Sequence, residues 1–124
     1  MALAIGTDIV EIQRIADVVE RQGDKFVQRI LTDAEQQEYL RLNCALSFLA
    51  KRFAAKEAVA KALGTGLGHG VSFRDINIIK TERGAPAVEL SGGAATVLSA
   101  MGGSQILLSL ADERQYAVAY AVLI

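Results

Sequence analysis

Phe48 to Leu63 reads FLAKRFAAKEAVAKAL, with four cations and one carboxylate set among Ala, Val, Leu and Phe. The stretch predicts a helix from about Ser47 to Leu63, ended by Gly64. Residues three and four apart meet on one helix face, so Glu57 sits beside Lys61 and Arg52 beside Lys56. A lone acid among cations is a place to bind a metal and a polyanion together. A solvated face carrying ordinary salt pairs is the competing reading.

Fifty residues upstream, Ile5-Gly6-Thr7-Asp8-Ile9-Val10-Glu11-Ile12 places an acid inside an apolar run that reads as a strand. An acid there is costly unless it is paired, hydrogen-bonded or bound to metal. The alternative is an Asp that caps the following helix.

Around these two segments the elements follow in order. Residues 2–10 read as a strand, and Ile12, Ile15, Val18 and Val19 form a helical stripe ending near Gly23. A short helical turn is expected around Phe26–Leu31. Thr32 with Glu35 is a capping-box signature for a helix reaching about Leu42. Beyond the long helix, Ile76–Thr81 and Ala87–Leu90 flank a turn at Gly84 and suggest a hairpin. Ala94, Val97, Leu98 and Met101 mark a further helix; Ile106–Leu110 and Tyr116–Leu123 are apolar strands. The expected order is β-α-α-α-β-β-α-β-β, an α+β domain over residues 1–124 with a mainly antiparallel sheet. The last strand is apolar on both faces, as a central strand under helices or one facing a neighbouring subunit would be.

A net charge of -1 over 124 residues advertises no nucleic-acid partner, so any anion site is local. Apolar residues make up 52% of the chain, which suggests oligomerisation, yet no apolar run approaches a bilayer span. The N-terminal apolar stretch lacks a basic flank and meets Asp8 too early to read as a signal peptide. Cys44 is the single cysteine, which rules out an internal disulfide and fits a reducing compartment; zinc is not expected. Gly64-Thr65-Gly66-Leu67-Gly68-His69-Gly70 lacks the spacing of a P-loop and reads as a helix C-cap with a flexible connector.

GTDIVEIQRI followed by FLAKRFAAKEAVAKALGTG, then ERGAPAVEL and LADERQYAVA, resembles the holo-[acyl-carrier-protein] synthases of the 4'-phosphopantetheinyl transferase superfamily, over essentially the whole chain. The resemblance implies a cytoplasmic homotrimer with active sites between subunits, serving fatty-acid biosynthesis. The implied reaction moves 4'-phosphopantetheine from coenzyme A to a serine of apo acyl carrier protein and releases 3',5'-ADP. It implies Asp8 and Glu57 as ligands of Mg2+, with Lys61 against the pyrophosphate; these three are the expected catalytic residues. Magnesium is content with one or two carboxylates, water and phosphate oxygens. Arg52 and Lys56 are expected as further phosphate contacts. Gly64, Thr65 and Gly66 are expected to lie against the coenzyme, and Arg83 and Pro86 beside its nucleotide. The acidic carrier protein is expected on the first helix and its exit, at Arg14, Val18, Arg21 and Lys25. Asp112 stands where many relatives carry His, so no role of that histidine transfers. A different magnesium-dependent phosphohydrolase and a non-catalytic trimeric nucleotide-binding module are the competing functions.

Overall fold

The computed structural model describes residues 1–124. Strand β1 (Ala4–Glu11) runs directly into α1 (Ile12–Gln22), followed by α2 (Asp24–Ile30), α3 (Asp33–Arg41) and α4 (Leu46–Ala62). A 3-10 turn at Phe73–Asp75 leads into β2 (Ile76–Lys80) and β3 (Pro86–Leu90), then α5 (Gly92–Ala100), β4 (Ile106–Asp112) and β5 (Tyr116–Leu123). The α+β class and strand order agree with the sequence reading. One element differs: the expected turn around Phe26–Leu31 is an α-helix of 7 residues, so four helices precede the hairpin. Gly23 separates α1 from α2 at φ 59, a conformation that costs glycine little.

The Thr32–Glu35 capping box is present. Thr32 N donates to Glu35 Oε1 at 2.8 Å, and Glu35 N donates to Thr32 Oγ1 at 3.3 Å. Asp8 lies in the middle of β1 rather than at a helix start. The residue preceding α1 is Glu11, whose side chain makes no capping bond.

The strands form two antiparallel sheets, one ordered β1-β5-β4 and the other the β2-β3 hairpin. Central β5 turns Ala117, Ala119, Ala121 and Leu123 inward, all fully buried. Above them α4 contributes Ala54, Ala55 and Ala58, also fully buried. Alanine on both sides brings the helix axis close to the sheet. Contact is closest at Gly6, where a Cβ would lie 2.1 Å from Ala58 O and 2.6 Å from Ala62 N. Residues two apart on a strand share a face, so Asp8 points with Gly6 toward the C-terminal half of α4. The opposite face of the sheet is apolar and uncovered, with Ile5 and Ile9 60% and 62% exposed and Tyr120 44%.

Candidate functional site

Lys61 Nζ donates to Asp8 Oδ1 and to Thr7 O, each at 3.0 Å. Glu57, one turn back on the same flank of α4, completes the cluster. Burial holds its carboxyl above the usual carboxylate range; Asp8 pushes the same way, while Lys61 and Arg14 oppose them. Two carboxylates that repel one another beside a lysine form a site able to share a divalent cation. No third Asp, Glu, His or Cys joins them, so water and a ligand's oxygens would have to complete the coordination shell.

A raised pKa means that the folded chain holds the Glu57 proton more tightly than the unfolded chain. Its contribution to stability is full below the unfolded pKa and is lost as pH rises through the folded one. Glu57→Gln, neutral at every pH, is therefore expected to raise the melting temperature in EDTA at pH 7 by about 1–3 °C, and to give no gain near about pH 4. Thermal melts at the two pH values check this; equal gains at both would contradict it.

Beside Glu57 lies a groove of about 810 Å³, walled by Phe26, Arg29 and Ile30 from α2, Phe53 from α4, and Leu67, Gly68 and Val71–Phe73. Phe53 stacks on Phe73 with ring centroids 5.6 Å apart, joining two sides of the floor. The sequence reading missed the apolar lining of this groove. Phe26 and Phe53 look like ordinary core residues in the sequence, and no periodic signal marks the connector 71–75. Of the glycine-rich run, Leu67, Gly68 and Gly70 line the groove, whereas Gly64, Thr65 and Gly66 do not. Thr65 Oγ1 instead donates to Gly66 O at 2.8 Å.

Lys56 is not placed to contact a phosphate. It is fully buried, and its Nζ is sealed between Ile30 O at 2.6 Å and Glu35 Oε1 at 2.5 Å, out of reach of any phosphate. The five-residue step from Arg52 to Glu57 turns about 140° around a helix, so the Arg52–Lys56 pair and the Glu57–Lys61 pair occupy different flanks. Arg52 is buried, with Nε 3.7 Å from Glu35 Oε2 and its guanidinium 4.6 Å from the centroid of the Phe48 ring. Its edge joins Lys51, Lys80, Gly84, Pro86 and Asp112 around a second groove, of about 410 Å³. There Asp112 pairs with Lys51 at 3.4 Å. Arg83 is exposed on the hairpin turn, and this single chain does not bring it to either carboxylate.

Arg14, Arg21 and Lys25 are all exposed along α1 and the start of α2, with Val18 half-buried between them. Arg14 also acts on Glu57, so this basic face adjoins the acidic pair.

Comparison with known proteins agrees with this fold. The family model of the 4'-phosphopantetheinyl transferase superfamily matches residues 4–121. A holo-[acyl-carrier-protein] synthase from Shewanella amazonensis is 57% identical over 98% of this chain and 97% of its own. The crystal structure of the holo-[acyl-carrier-protein] synthase from Neisseria meningitidis superposes with a TM-score of 0.93 at 40% identity, covering 100% of this chain and 99% of that one. That of Helicobacter pylori, in complex with coenzyme A, gives 0.85 at 34% identity, covering 97% and 99%. With the family model and these relatives in agreement over nearly its whole length, the chain belongs to the 4'-phosphopantetheinyl transferase superfamily.

Proposed function

We propose that residues 1–124 form one phosphopantetheinyl transferase domain, which moves 4'-phosphopantetheine from coenzyme A to a serine hydroxyl of apo acyl carrier protein. The carrying observation is the meeting of Asp8 and Glu57, from distant parts of the chain, with Lys61 bonded to Asp8. In the reaction the serine Oγ–P bond forms, the P–O bond to 3',5'-ADP breaks, and negative charge grows on the leaving oxygen. Lys61, half exposed, is free to swing onto the pyrophosphate and neutralise that charge. Asp8 and Glu57 would hold Mg2+, which when bound polarises the phosphoryl oxygens. Glu57, acting through a water, would accept the serine proton.

Arg52, Gly64, Thr65, Gly66, Arg83 and Pro86 remain the residues we assign to coenzyme A, Arg83 and Pro86 beside its nucleotide; Lys56 leaves that set because it is sealed. The two flanks of α4 separate the Arg52–Pro86 groove from the acidic pair. A coenzyme held by residues of both flanks fits an active site shared between two copies of the chain, the arrangement we assign to a homotrimer. The uncovered sheet face, carrying Ile5, Ile9, Leu107 and Tyr120, is the surface we assign to that contact. Light scattering is expected to report about 40 kDa, three chains of 13.2 kDa; a monomer's mass would contradict the assembly.

The carrier protein is assigned to Arg14, Val18, Arg21 and Lys25. Because Arg14 also acts on Glu57, the cleaner test reverses Arg21 and Lys25 to Glu. The carrier KM is expected to rise about tenfold, with the coenzyme A KM within about twofold, and the difference to shrink in high salt. An unmoved carrier KM would contradict the docking face. A role in fatty-acid synthesis and a cytoplasmic location complete the reading. No helix is long and apolar enough to cross a membrane, and the thiol of Cys44 is free and exposed.

A further inference from the structure

Glu35, Arg52 and Lys56 are the buried charged side chains of the molecule. One carboxylate against two cations leaves a positive charge in excess, away from water, where a charge without a counter-charge is costly. The carboxylate is not divided evenly between them. Glu35 Oε1 accepts from Lys56 Nζ at 2.5 Å and from Thr32 N at 2.8 Å, and Oε2 accepts from Ile78 N at 3.0 Å. Arg52 Nε stands 3.7 Å from Oε2, beyond hydrogen-bond reach, and has no hydrogen-bond partner. The other acid that acts on Arg52 is Glu38, and its two oxygens are held by Arg41 Nε and Nη2.

Burial lowers the pKa of Arg52, while Glu35 and Glu38 act against the fall. Burial lowers that of Lys56 as well; Glu35 opposes, and repulsion by Arg52 adds to the fall. A buried guanidinium with an unmet N–H and charge in excess is a group prepared for an anion from outside. Its open edge is the groove of about 410 Å³, where Lys51 and Lys80 stand against the single acid Asp112. Lys56 keeps Arg52 in this state. It takes Glu35 for itself and repels a guanidinium one turn away on the same helix face.

We propose that Lys56 is a positioning residue for coenzyme A: by engaging Glu35 it keeps the Arg52 guanidinium unpaired and available to a phosphate of the coenzyme. The proposal rests on the assignment of Arg52 to coenzyme A. Lys56 itself touches no ligand.

The test is a series of charge removals, because Glu35 and Lys56 act on Arg52 with opposite signs. In Lys56→Met, Arg52 becomes the one cation left to Glu35, and the two close into a pair. The dissociation constant of coenzyme A, measured by calorimetry with magnesium, should rise about tenfold, with the carrier KM within about twofold. In Glu35→Gln both cations lose their counter-charge. The melting temperature without ligand should fall sharply, and coenzyme A should bind about threefold tighter or more. The double variant, Glu35→Gln with Lys56→Met, removes one charge of each sign and should bind coenzyme A within about threefold of the wild type. It lacks the donor to Ile30 O just as Lys56→Met does, so the difference between these two reports the charge. A structural role alone would weaken binding in all three variants in step with their loss of stability, and that result would overturn the proposal. If Glu35→Gln does not fold, the other two variants decide, and equal dissociation constants would overturn it. Arg52→Gln, measured alongside, should weaken coenzyme A binding about tenfold or more. If it does so while Lys56→Met binds as the wild type, Lys56 has no such role and Arg52 keeps its assignment. If Arg52→Gln leaves binding unmoved, Arg52 leaves the coenzyme site and the proposal falls with it.

Discussion

Gly6→Ala is expected to destabilise the chain by about 3 kcal/mol, at the upper end of the usual cost of overpacking, and to lower the melting temperature by about 10 °C or more. The added Cβ would lie 2.1 Å from Ala58 O and 2.6 Å from Ala62 N. Both are main-chain atoms of α4, so no side chain can turn aside to admit it. β1 or α4 must move instead, and either movement separates Asp8 from Lys61 and Glu57. Turnover should therefore fall by more than the fraction of unfolded protein explains. Differential scanning calorimetry alongside a turnover assay checks both effects. A melting temperature within about 2 °C of wild type would contradict the close approach.

Asp8→Asn is expected to produce the opposite pattern: a stable fold with almost no turnover. Asparagine keeps the shape of the side chain and an oxygen facing Lys61, so the packing of β1 on α4 should survive. What disappears is one of only two carboxylates in the cluster, and with it half of the protein's charge available to a divalent cation. A metal contribution of about 4 kcal/mol to the barrier corresponds to about a thousandfold in rate. Retention of more than about a tenth of the turnover would contradict the assignment of Asp8 to the metal.

Much of the fold was legible in the sequence because local signals agreed with the tertiary structure. The Thr32–Glu35 box marked the start of α3, and the unbroken apolar character of β5 reflects its central position between β1 and β4. The helix α2 was missed as such because 7 residues are too few to display a period. The division into two sheets depends on which strands pair across the molecule, a matter that no local pattern records.

The site was half legible for a related reason. Spacing alone correctly paired Glu57 with Lys61 and Arg52 with Lys56, but it could not say which pair faces a ligand. Most residues of α4 are buried around its circumference, so there is no polar face to orient the charges. Lys56 therefore looked like a phosphate contact and proved to be an internal tie to Glu35 and Ile30. Asp8 was ambiguous between a cap and a strand acid until its register against Ala119 on β5 placed it in mid-strand. The groove lining escaped notice because apolar side chains at a site and in a core look alike in sequence.

The transferase assignment is tested most directly by intact-protein mass of apo acyl carrier protein incubated with this chain, coenzyme A and magnesium, beside an EDTA control and the Asp8→Asn variant. The account predicts a gain of about 340 Da on the carrier, one phosphopantetheine moiety, abolished by EDTA and nearly abolished by the substitution. An unmodified carrier in the complete reaction, with coenzyme A still bound to the chain, would contradict it and favour a nucleotide-binding module without chemistry.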